Sequence, residues 1–85
     1  MYYAYVIERQ KNEDLYKGFC SDLKRRLKEH NNGDNESTRN GRPWKLIHYE
    51  AFQNKDDAIE RERFLKTGWG RAHLKKILKN YLKNK

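Results

Sequence analysis

The sequence predicts an α+β fold in which a three-stranded antiparallel sheet is flanked by helices in the order β-β-α-β-α-α. Three short segments are rich in aromatic and β-branched residues, which is typical of strands. Three further segments place apolar residues at the three- and four-residue spacing of a helix face. Polar stretches, some containing glycine, separate these elements. With 85 residues, the chain is expected to form one domain over residues 1–85.

The first two strands are expected to form a hairpin. Residues 2–8 form the first strand, and the chain returns antiparallel over residues 15–19 after a polar loop. The second strand is expected to end near Gly18. This arrangement places Tyr5 and Tyr16 on neighbouring strands.

A helix is predicted over residues 22–30, directly after the hairpin. Ser21 suits its N-cap, and Asp22 in the first turn favours the positive end of the helix dipole. Residues 31–43 are too polar and too rich in glycine to form a regular element, so we expect a loop there. The helix must cross back over the sheet before the next strand can pair with the hairpin.

The rest of the chain predicts one strand and two helices. Trp44–Phe52 is the third strand. A second helix is capped by Asn54 and ends near residue 66, where the sequence TGWG breaks it, and a third helix covers residues 72–82. The polar side of this third helix is either a solvated face or a ridge that contacts phosphates, and it carries Lys75, Lys76, Lys79 and Lys83.

The composition suggests a polyanionic partner. The chain has 20 Lys and Arg residues and 12 Asp and Glu residues, so its net charge is +8. Nucleic acid is therefore considered as a partner before a membrane. A basic protein without such a partner is the alternative. The single cysteine, Cys20, excludes an intrachain disulfide and a zinc cluster built on thiolates, and it fits a reducing compartment. Since no segment has membrane-spanning length, a cytoplasmic location is expected.

Three polar residues fall on helix faces that are otherwise apolar. At about 100° per residue, Arg26 and His30 lie among the leucines of the first helix. Glu62 falls within the apolar stripe of the second helix. An arginine stem can run along apolar surface, whereas a carboxylate there needs a cation. Glu62 is therefore either paired with Arg26 or a lysine, or it binds a hard divalent cation such as Mg²⁺, which also takes oxygens from phosphate.

The two tyrosines of the hairpin complete this set. Packing on a half-buried strand face is the simpler interpretation of Tyr5 and Tyr16. Two phenols beside an arginine and a carboxylate could also activate water next to a phosphate. A phenol has an unperturbed pKa of about 10, so it acts as a base at neutral pH only where nearby cations lower that value.

The order of these residues resembles the GIY-YIG nuclease domain, in particular small single-domain members similar to the N-terminal nuclease of the excinuclease C subunit. The matching residues are Tyr5 in YAY, Tyr16 in YKG, Arg26 and His30 on the first helix, and Glu62 in AIERERFLK. Both tripeptides depart from the family's pattern, yet each keeps its tyrosine.

The resemblance implies the same fold and a role for each residue. Tyr16 would be the general base acting through water, and Tyr5 would help to position that water. Arg26 would hold the scissile phosphate, while His30 would support the reaction near the leaving group. Glu62 would carry a single divalent metal ion, Mg²⁺ or Mn²⁺.

The sequence therefore predicts a magnesium-dependent DNA endonuclease that hydrolyses phosphodiester bonds, with DNA repair or processing as the implied setting. The alternative is a nucleic-acid-binding module on the same fold that does not cut. The family's late asparagine matches poorly, because its nearest candidate, Asn80, lies inside the predicted third helix. Targeting is expected to come from this domain, from a homodimer or from a protein partner.

Overall fold

One antiparallel sheet organises the structure, a computed structural model that describes residues 1–84. The strands are β1 (Tyr2–Arg9), β2 (Leu15–Cys20) and β3 (Trp44–Phe52), and their order in the sheet is β2-β1-β3. The helices are α1 (Leu23–Asn32), α2 (Lys55–Leu65), α3 (Gly68–Ile77) and α4 (Lys79–Lys83). This confirms the predicted α+β architecture. Within residues 1–84, every helix is too short or too polar to cross a lipid bilayer.

The central strand β1 supplies side chains to two separate cores, because successive residues of a strand point to opposite faces. Ala4 and Val6 pack with Leu65 and Leu74 from α2 and α3. On the other face, Tyr5 and its neighbours pack with Cys20, Trp44 and the leucines of α1. Helix α1 therefore covers one face of the sheet, and α2 and α3 cover the other.

The hairpin has a register that depends on a glycine. Tyr5 lies opposite Gly18, and Ile7 lies opposite Tyr16. A Cβ atom at Gly18 would collide with the phenol ring of Tyr5. The expectation that the second strand ends near Gly18 is therefore wrong, since the strand continues to Cys20 and the glycine makes room for the tyrosine.

Helix α1 begins and ends with side-chain and backbone caps. The N-cap is Asp22 rather than the predicted Ser21, because the Asp22 carboxylate accepts a hydrogen bond of 3.1 Å from the backbone N–H of Arg25. The helix continues to Asn32, and Gly33 ends it in the left-handed conformation with φ of 83°. The loop that follows contains a short 3-10 turn over Arg39–Gly41.

The C-terminal helices differ from the prediction at their boundaries. Helix α2 is capped by Asn54, as expected. Helix α3 starts earlier than predicted, because Thr67 Oγ1 accepts a hydrogen bond of 3.1 Å from the backbone N–H of Gly70 and caps it. The TGWG segment therefore begins a helix as well as ending one. The predicted helix over residues 72–82 is also wrong as a unit, since Leu78 leaves helical geometry and separates α3 from α4.

Gly70 lets the start of α3 lie directly against the end of α2. A Cβ atom at Gly70 would overlap the carbonyl oxygen of Phe64 and the backbone of Leu65. A Cβ atom at Gly68 would lie 3.8 Å from Arg71 Nη2, its nearest neighbour, which is an ordinary van der Waals contact. The close approach of the two helices therefore requires a glycine at position 70 and not at position 68.

We expect Gly70→Ala to lower the free energy of unfolding by about 1–3 kcal/mol, because the added methyl group forces the two helices apart. The matched control, Gly68→Ala, should be neutral or slightly stabilising, since alanine favours a helix over glycine. Urea denaturation of both variants and the wild type measures the difference. Equal stability of the two variants would contradict this account of the helix contact.

Candidate active site

Four of the five predicted site residues meet where α1 packs on the sheet. The Tyr5 hydroxyl lies 2.7 Å from His30 Nε2. The Tyr16 ring meets the His30 ring edge to face, with centroids 5.4 Å apart. Arg26 lies beside Tyr5, because both side chains line one small space between α1 and the sheet. The two strands and the helix thus bring together residues that lie up to 25 positions apart in sequence.

His30 is completely buried, and both of its ring nitrogens are hydrogen-bonded. Its Nδ1 atom lies 2.6 Å from Thr38 Oγ1. A neutral imidazole donates from one nitrogen and accepts at the other, and the Tyr5 and Thr38 hydroxyls can each donate or accept. The imidazole therefore joins the strand and the loop through one buried chain of hydrogen bonds.

Burial keeps both partners of the central hydrogen bond neutral. Burial lowers the pKa of His30, and the positive charge of Arg26 lowers it further. Burial also raises the pKa of the Tyr5 phenol well above its usual value, although Arg26 opposes that change. Tyr5 is therefore neutral at pH 7 and is unsuited to act as a base.

The loop between α1 and β3 forms one wall of the site through Thr38, a residue that the sequence does not single out. Thr38 is 1% exposed, and its carbonyl oxygen accepts a hydrogen bond of 2.9 Å from Trp44 Nε1. The Trp44 ring in turn packs edge to face on Tyr16, with centroids 6.2 Å apart. No periodicity or spacing distinguishes Thr38 from Ser37 beside it, so the sequence carries no signal for this role.

Arg26 links the buried network to solvent. Its side chain is 39% exposed, and its Nε atom lies 3.1 Å from Glu29 Oε1 on the same helix. Arg26 and Glu29 also line a small opening of about 160 Å³ beside Asp22. The suggested ion pair between Arg26 and Glu62 is therefore wrong, because the acid one helical turn away supplies the counter-charge.

Glu62 lies in a different layer of the structure from the helix that carries Arg26 and His30. It stands on α2, which packs on the sheet face opposite α1. Its side chain is 17% exposed, and its Oε2 atom lies 2.8 Å from Lys66 Nζ. Of the pairings suggested for Glu62, the structure shows the one with a lysine. Asn80 lies on α4 and is exposed.

A magnesium ion held by Glu62 would lie in an open site rather than in a closed metal centre. Residues 1–84 contain no cluster of three or more His, Cys, Asp or Glu side chains able to hold a metal. A carboxylate is nevertheless the hard oxygen donor that Mg²⁺ prefers, and Mg²⁺ keeps several waters where protein ligands are few. The side chain of Lys66 is 53% exposed, so its ammonium group can turn into solvent and leave the carboxylate open.

The burial of His30 predicts a loss of stability at acid pH. The unfolded chain takes up a proton at the ordinary histidine pKa near 6.5, whereas the folded chain resists protonation because burial and Arg26 lower the pKa of His30. The free energy of unfolding should therefore fall as the pH drops below about 6.5. Denaturation of the wild type and His30→Gln between about pH 5 and 8 measures this, and the variant should show a shallower decline. An unchanged slope in the variant would contradict a neutral, buried His30.

The chain is similar to one known protein family over nearly its whole length. The family model of the GIY-YIG catalytic domain matches residues 1–81. A UPF0213 protein of Clostridium perfringens is 42% identical over 67 residues, which cover 78% of this chain and 71% of the relative. A UPF0213 protein of Staphylococcus saprophyticus is 35% identical over 77 residues, or 89% of this chain and 93% of the relative.

A third relative, a UPF0213 protein of Haloquadratum walsbyi, is 37% identical over 67 residues, which cover 78% of this chain and 74% of the relative. No solved structure gives a significant match. The match of the family model over nearly the whole chain, together with these relatives, shows that the protein belongs to the GIY-YIG family, whose catalytic domain has a nuclease fold.

Proposed function

We propose that this protein is a Mg²⁺-dependent DNA endonuclease that hydrolyses phosphodiester bonds. The observation that carries the proposal is the buried hydrogen bond between Tyr5 and His30, with Arg26 beside the phenol and Tyr16 against the imidazole. Membership of a family with a nuclease fold supports it. The names of the relatives specify no activity, so metal dependence and a role in DNA repair or processing form part of the proposal.

The four clustered residues have separate tasks in the proposed reaction. Arg26 reaches solvent and holds the scissile phosphate, because a guanidinium matches the geometry and charge of phosphate oxygens. Tyr16 accepts the proton of the attacking water. Tyr5 remains neutral and positions that water, and its orientation is fixed by the hydrogen bond to His30.

Glu62 is the residue that would hold Mg²⁺. When bound, the ion supplies Lewis-acid stabilisation of the charge that develops on the phosphate. The Lys66 ammonium, which lies beside the Glu62 carboxylate in this structure, would contribute a positive charge to a phosphate bound there. Since Glu62 and Arg26 belong to opposite layers of the sheet, the substrate must pass over an edge of the sheet, which is formed by β2 or by β3, to reach both.

The alternative is a DNA-binding module that does not cut. It is favoured by the ion pair of Glu62 with Lys66 and by the position of Glu62 in the layer opposite α1. Both functions take DNA as the partner, with a homodimer or a protein partner as the proposed means of targeting. We propose the cytoplasm as the location, in keeping with the free thiol of Cys20.

We expect Glu62→Gln to reduce Mg²⁺-dependent nicking of branched or single-stranded DNA by about 100-fold or more, because the amide loses the charge that holds the ion. Glu60→Gln is the matched control, since Glu60 lies on the same helix and is exposed. Initial rates of cleavage on labelled DNA measure the effect. Equal rates for the two variants would contradict the role of Glu62.

We expect Tyr16→Phe to abolish nicking while the affinity for DNA changes by less than about twofold, because the substitution removes a proton acceptor but keeps the ring. Cleavage assays and fluorescence anisotropy on the same DNA measure both quantities. Failure of the wild type to cut any DNA with Mg²⁺ or Mn²⁺, together with salt-sensitive binding, would instead establish the binding module.

A further inference from the structure

A second cavity lies on the face of the sheet opposite α1, between the start of β2 and helices α3 and α4. Its volume is about 500 Å³, which is within the range of small-molecule sites. One wall carries three basic side chains, Lys17, Arg71 and Lys75. None of these residues has a part in the site formed by Tyr5, Tyr16, Arg26 and His30.

The alternation of side chains between the two faces of β2 sets the position of Lys17. Lys17 lies opposite Val6, so its side chain is on the face covered by α2 and α3 and is partly buried. Burial, followed by the charges of Arg71 and Lys66, lowers the pKa of Lys17. The structure therefore gathers the positive charges of Lys17, Arg71 and Lys66 at the junction of β2 with the end of α2.

Arg71 is held in place by the end of α2. Its Nη1 atom donates a hydrogen bond of 3.3 Å to the carbonyl oxygen of Lys66. Lys66 is the residue that forms the ion pair with Glu62. The basic wall of the cavity is thus continuous with the residue that we propose to hold the metal ion.

The rest of the cavity differs in chemistry from its basic wall. Leu15, Leu74 and Leu82 provide an apolar surface, and Glu13 and Asp14 of the hairpin turn provide carboxylates. A phosphate alone needs neither apolar surface nor carboxylates. A nucleotide uses all three features, because its phosphate binds cations, its base has an apolar face, and the edge of the base carries N–H donors.

We propose that this cavity binds one unpaired nucleotide of the DNA strand that is to be cut. The proposal rests on the endonuclease function above and names its substrate class, which is DNA with a single-stranded segment next to the cleavage point. Lys17, Arg71 and Lys75 bind the phosphate of this nucleotide, and the leucines contact its base. A base within a continuous duplex is stacked and paired, so it cannot enter the cavity.

Binding in EDTA tests the proposal without any cleavage. Fluorescence anisotropy of the wild-type chain compares a DNA hairpin that has a short single-stranded arm with the same hairpin whose arm nucleotides are abasic. The two DNAs have the same number of phosphates. We expect the arm with bases to bind about fivefold more tightly, because stacking of a base contributes measurable affinity. Equal affinities would overturn the proposal.

Two neighbouring lysines provide the matched protein control. Lys75 lines the cavity and Lys76 does not, yet both are exposed on α3. Lys75→Gln should weaken binding of the arm about fivefold and reduce the salt dependence by about one phosphate contact, while Lys76→Gln should weaken it less than about twofold. Equal effects of the two substitutions would also overturn the proposal.

These outcomes are distinguishable from a failure of the proposed function. If the wild type cuts no DNA with Mg²⁺ or Mn²⁺ but still prefers the arm with bases, the nucleotide site stands and the endonuclease does not. If the wild type cuts DNA but the abasic arm binds equally well, the endonuclease stands and the nucleotide site does not.

Discussion

A buried histidine with two hydrogen bonds ties together three parts of the molecule that are distant in sequence. His30 on α1 contacts Tyr5 on the central strand and Thr38 in the following loop. A buried polar group left without a partner costs about 1–3 kcal/mol, so the helix, the strand and the loop must be in place together. The hydrogen bonds that fix the fold at this point also fix the orientation of the buried Tyr5 phenol. Stability and the proposed chemistry therefore depend on the same few atoms.

The sheet divides the candidate machinery into two layers. Arg26 and the aromatic residues lie under α1, whereas Glu62 and the basic cavity lie on the side of α2 and α3. The sheet has three strands, and β2 forms one edge. A strand of DNA that crosses this edge can reach both layers, whereas a small phosphate compound can reach one. A long polyanionic substrate therefore suits the proposed roles of Arg26 and Glu62, which is in keeping with the net charge of +8.

Much of the fold and part of the site can be predicted from local patterns. The alternation of β1 and the helical spacing of Arg26 and His30 are periodic signals, and they place these side chains towards one another, as the structure does. The sequence puts the cap of α1 one residue early, because Ser21 and Asp22 are both good capping residues and only the three-dimensional structure selects between them. The sequence predicts that the glycine-containing segment after α2 breaks a helix. It does not show that Gly70 is needed for the close contact between α2 and α3. The partners of Thr38 and Glu62 depend on tertiary contacts and have no periodic signal.

The contact between Tyr5 and Gly18 couples two tripeptides that are separated by about ten residues of hairpin. The ring of the last residue of YAY rests on the bare backbone of the last residue of YKG. The middle residues, Ala4 and Lys17, point to the opposite layer and contact different neighbours. The two tripeptides, which look independent in the sequence, are therefore packed against each other as one unit. Their middle residues take no part in this contact, and in this protein one of the two, Lys17, is a cation.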